Sequence, residues 1–148
     1  MLAIAGEEQP AIANGSGRRL LAERFVDPVN PFVSRVQVNR VWHHLFGRGI
    51  VPSVDDFGVM GQSPSHPRLL DWLAGDFIAN GWSVKHLIRQ IVLSNTYQMS
   101  SLHEGDDKVQ IVDPDNRLLH KAPLRRLQAE SIRDALLSIS GRLDPKLY

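Results

Sequence analysis

The chain has 148 residues, 43% of them hydrophobic and 22% charged, enough for one domain with a real core and too apolar for disorder to be the rule. With 17 basic and 16 acidic residues the net charge is +1, so no overall field draws the chain to nucleic acid or an anionic membrane. The absence of Cys excludes disulfides, thiolate metal sites, Cys nucleophiles and covalent c-type haem attachment within it.

The opening MLAIAGEEQP has no basic n-region, and Glu7-Glu8 cut its apolar run short, so no signal peptide is expected. No run approaches the ~18 apolar residues of a spanning helix, and no membrane insertion is expected. Residues 1–15 read as a flexible segment and 16–148 as a single helical domain. Asn14-Gly15-Ser16 matches a glycosylation sequon, a weak signal without an export sequence.

Ser16 is positioned to cap a first helix over Arg18 to Phe25, with Leu20, Leu21 and Phe25 as its stripe. Asp27-Pro28 and Asn30-Pro31 punctuate the chain. A second helix is predicted from Pro31 to Phe46, stopped by Gly47. Its Val38, Val41, Trp42 and Leu45 share one face, with Val33 and Val36 on the other, so it is the candidate central helix. Gly47 to Pro67 is aperiodic and rich in turn residues, a long irregular loop with one turn at Asp55 to Gly58. A third helix begins at Pro67 and ends at Asn80-Gly81. Ser83 caps a fourth, in which Val84, Leu87, Ile88 and Ile91 recur at helical spacing, and the short link makes the pair an antiparallel hairpin. Leu102 to Asp115 reads as an acidic mobile loop. A last helix is predicted from near Pro123 to Gly141. No strand or repeat signal competes, so the expected fold is an all-α compact bundle of about five helices with one irregular loop at about 47–67.

Four constellations bear on chemistry. Arg40, His43 and His44 face Asp55-Asp56 in sequence. Arg40 is expected to clamp the loop through Asp55 or Asp56; the alternative is an anion pocket at Arg40, His43, Asp55, Asp56 and His66. His43 and His44 diverge by about 100° on a helix, and no HExxH motif is present, so no metal is expected. Ser63, Ser65, His66 and Asp71 contain hydrolase residue types without a GxSxG frame, and His66 reads better as a helix cap. Arg125, Arg126, Glu130, Arg133 and Asp134 read as a solvated or interdomain face, with Arg126–Glu130 an i,i+4 pair. Nucleic-acid binding, which would need Arg35, Arg48 and Arg125 on one open face, is not expected.

The blocks SGRRLLAE, NPFVSRVQVNRVWHHLFGRGIV, DDFG, PSHPRLLDWLA, GWSVKHLIRQIVLSNTYQ, DPDNRLL and RRLQAESIRDALLSISGRLDP occur in this order. Together they resemble the planctomycete-specific domain one, a family of unknown function, over about Ser16 to Pro145. The resemblance implies a C-terminal module of a large, exported planctomycete protein, with another domain of unknown function and often a cytochrome c-like domain upstream. It implies neighbouring domains as partners, and haem only in those upstream parts, with no cofactor in this chain. Members normally continue past Leu147-Tyr148, so the resemblance implies a fragment or isolated module. The family offers no established active residues to carry over. The leading expectation is an interaction or scaffold domain with an exposed apolar patch; the alternative is a ligand-binding or hydrolytic module with an anion or carbohydrate pocket near Arg40, His43 and Asp56.

Overall fold

The structure is a computed structural model that describes residues 16–102, 107–144 and 146. The N-terminal segment, with Asn14 of the sequon, lies outside the described residues. Six helices occupy the rest: α1 (Arg18–Val26), α2 (Pro31–Phe46), α3 (Pro67–Ala79), α4 (Val84–Val92), α5 (Asp107–Val112) and α6 (Ala129–Ile139). The fold is all-α.

Punctuation residues set the helix ends. Asn30 caps α2: its side chain accepts from the Phe32 N–H at 2.9 Å, and Pro31 fills the first turn, where a missing N–H costs nothing. The same side chain donates to the Arg24 carbonyl at 2.9 Å, tying α1 to the start of α2. Ser83 caps α4 through the His86 N–H. The α3–α4 link is a Schellman motif. The Gly81 N–H bonds to the Ile78 carbonyl and the Trp82 N–H to the Phe77 carbonyl, with Gly81 at φ 67° and Trp82 at φ 60°. The accompanying apolar contact is the Phe77–Trp82 ring pair, 5.3 Å between centroids.

The core lies where α2, α3 and α4 meet. α2 buries Val38, Val41, Trp42 and Phe46; α3 buries Leu70, Leu73, Ala74 and Phe77; α4 buries Leu87 and Ile91. Each large side chain buried there contributes about 1.5–3 kcal/mol of transfer free energy. Trp42 and Phe46 stack at 4.2 Å, and Phe46 meets Tyr97 edge-on at 5.4 Å. The central role expected for α2 holds, with Val33 and Val36 half-buried. Arg35 reaches Asp71 at 2.7 Å, an ion pair between α2 and α3.

The loop after α2 is anchored from inside. Asn39 is fully buried; it accepts from the Val51 N–H at 2.8 Å and donates to the Val51 carbonyl at 3.0 Å. Two orphan backbone groups are thereby satisfied in the core. Gly49 lies against this pair: a Cβ there would sit 2.4 Å from the Val51 oxygen. Farther along, the Asp56 N–H bonds to the Ser53 carbonyl, closing the turn expected near Asp55.

Four local expectations need correction. Ser16 does not cap α1; Gly17 occupies that position in a left-handed conformation, without a side-chain bond. Part of the expected loop from Leu102 to Asp115 forms α5, although Glu104 lies outside the described residues. α6 begins at Ala129 rather than near Pro123. Tertiary bonds hold the stretch before it: the Ala122 N–H reaches the Ser100 carbonyl, and Arg125 donates to the His44 carbonyl at the end of α2. Arg126 therefore precedes the helix and forms no helical i,i+4 pair with Glu130.

Candidate functional site

The sequence-derived candidates divide between two places. Arg40 meets Asp55 at 3.5 Å, so the expected clamp forms, but both side chains are exposed. Position 40 falls on the solvent side of α2, roughly opposite the face that carries Val38, Val41 and Trp42. The Asp56 carboxylate is used locally, accepting from the Gly58 N–H at 2.8 Å. His43 is half-buried, and its Nδ1 is buried without a hydrogen-bond partner. His66 stands apart from these four, in a cleft.

That cleft encloses about 100 Å³. It is lined by Trp42 and Phe46 from the last turns of α2, by Arg48 and Gly49, and by Ser65 and His66 leading into α3. Asp115, Asn116, Arg117, Leu119 and Pro123 complete the lining. Sequence reasoning missed this site because its lining residues lie far apart along the chain. The DPDNRLL block was the available signal, a run of turn residues followed by an Arg.

The loop that carries Arg117 is held rigidly. Asp113 is buried and accepts from the Arg117 N–H at 2.9 Å and the Leu118 N–H at 2.8 Å. His120 Nδ1 lies 3.5 Å from the same carboxylate. The Leu118 N–H holds the Asp113 carboxyl below the usual carboxylate range against the opposing effect of desolvation, with the Arg117 N–H and His120 adding to the lowering. Asn116 bridges the loop, donating to the Lys121 carbonyl at 2.8 Å and accepting from the Lys121 N–H at 3.3 Å. Asn116 and Leu119 both adopt positive φ, at 50° and 55°, which turns the chain tightly between them.

Elsewhere in the lining, His66 occupies the N-cap position of α3 but makes no side-chain cap bond. Its Nδ1 lies 3.0 Å from Ser65 Oγ. Ser65 Oγ donates its one proton to the Ile50 carbonyl at 3.2 Å, so toward His66 it acts as acceptor. Neutral His66 then carries its proton on Nδ1 and keeps Nε2 as an acceptor. Asp71 is engaged by Arg35, so Ser65, His66 and Asp71 form no hydrolase relay. Arg35 and Arg125 are likewise engaged, by Asp71 and by the His44 carbonyl.

Among the described residues, no group of three or more His, Asp and Glu is arranged to hold a metal ion. No helix among them is long and apolar enough to cross a membrane. No curated protein and no solved structure matches the chain. A family model does match, over residues 17–148, and the chain belongs to that family, PSD1, described as proteins of unknown function (DUF1553).

Proposed function

We propose that this chain is a helical interaction module, a single domain over 16–148 that packs against neighbouring domains of a larger exported polypeptide of the cytochrome c-associated kind. The observation that carries this reading is α6, which buries no residue. Ile132, Leu136 and Ile139 are 45%, 64% and 86% exposed. Their spacing places them on one face of the helix. Leu124 and Leu127, on the approach to α6, are 85% and 65% exposed. α1 is similar, with no buried residue and with Leu21, Phe25 and Val26 exposed. Scattered exposed apolar residues are ordinary, but an amphipathic helix with its apolar face uncovered supports a docking role.

The test is the double substitution Leu136→Glu with Ile139→Glu. The isolated chain should keep its fold, with a stability change within about 0.5 kcal/mol. Association with the adjacent domain of the same polypeptide, measured by titration calorimetry, should weaken by at least about tenfold. Unchanged association would contradict the reading, as would unfolding of the isolated double variant.

A further inference from the structure

We infer that the cleft between the end of α2, the start of α3 and the Asp113–Lys121 loop is a binding site for a small hydroxy acid. This inference is independent of the docking reading, since the cleft shares no residue with α6 or α1. The size fits first: about 100 Å³ accommodates a molecule of a few heavy atoms, being somewhat smaller than a cavity known to hold benzene.

The chemistry of the walls selects the class. Arg48 and Arg117 line the cleft from different segments, and neither forms an ion pair within the described residues. Two arginines brought to one cleft from segments far apart in the chain suit a carboxylate, the group guanidinium binds through charge-assisted bonds. The same walls carry two acceptors. One is His66 Nε2, an acceptor in the neutral tautomer whose Nδ1 N–H faces Ser65 Oγ. The other is Asp115, exposed and without an ion-pair partner among the described residues. A simple anion would meet Asp115 unfavourably. A ligand that offers a carboxylate to the arginines and a hydroxyl to Asp115 or His66 satisfies both sets. Trp42 and Leu119 provide an apolar surface for its carbon skeleton.

The walls are also pre-organised, which lowers the cost of binding. Asp113 and Asn116 fix the loop that carries Arg117 through four hydrogen bonds, and the Asn39–Val51 pair fixes the return that carries Arg48.

The test is an NMR titration of the whole chain with glycerate, using acetate, glycerol and inorganic phosphate as comparison probes. Glycerate should shift the Trp42 indole and the Asn116 and Leu119 amides. Acetate should bind at least about tenfold more weakly, and glycerol should produce no shift. Arg117→Ala and Arg48→Ala should each weaken glycerate binding by about tenfold or more. Arg89→Ala, on an exposed position of α4, should leave it unchanged. Both cleft arginines are exposed, so their variants are expected to fold, and amide spectra before titration check this. Three results would overturn the inference: no glycerate-induced shifts in the folded wild type, glycerate binding indifferent to both cleft substitutions, or phosphate binding the cleft more tightly than glycerate.

Discussion

Two buried polar residues determine how much of this fold depends on single side chains. Asn39 completes both hydrogen bonds of the Val51 backbone in the core. Asn39→Ala removes both partners at once and strands a buried donor and acceptor, so it should destabilise the chain by roughly 2–4 kcal/mol. Urea unfolding checks this, with the midpoint falling and the slope unchanged; a loss below about 1 kcal/mol would mean that water replaces the amide. Asp113 carries a pH dependence. Its carboxyl titrates below the ordinary range in the folded chain, first because of the Leu118 N–H. An unfolded Asp titrates near about 3.9. The lowered folded value means the carboxylate stabilises the fold fully above that point, and the stabilisation is lost as pH falls through the folded value. Thermal melts from about pH 6 to about pH 2 should therefore decline more steeply for the wild type than for Asp113→Asn. Parallel declines would contradict the assignment.

At the scale of the element, the legible parts of the sequence were those set by local chemistry. Asn30-Pro31, Gly47, Asn80-Gly81, Ser83 and Gly141 each mark a helix end that the structure shows. At Gly141 the bond from the Arg142 N–H to the Leu137 carbonyl closes the turn. Local chemistry failed where a distant partner decides. Pro123 looks like a helix start, yet the bonds of Ala122 to Ser100 and Arg125 to His44 hold the chain out of the helix until Ala129. Helical spacing was equally uninformative about burial on α6. Ile139 and Ile91 occupy equivalent places in their own periodic patterns, but only Ile91 is packed. The site was less legible than the fold. The Arg40–Asp55 pairing followed from one loop turning back on one helix, but its exposure depended on which face α3 and α4 cover. The cleft draws on Arg48, His66 and Arg117, separated by tens of residues, and no spacing rule joins them.

At the scale of the whole molecule, the buried hydrophobic cluster among the described residues comes from α2, α3, α4 and the return through Ile50 and Val51. α1 and α6 bury nothing. Stability should therefore be uneven, with global protection in α2, α3 and α4 and low-energy opening in α1 and α6. On the docking reading proposed above, the uncovered apolar face of α6 would gain its protection from a partner. Amide hydrogen exchange tests this unevenness most directly. In the isolated chain, α6 amides should exchange far faster than those of α2 and α4, and, if the proposed docking holds, they should become protected when the proposed neighbouring domain is added. Protection of α6 equal to that of α4 in the isolated chain would contradict the account.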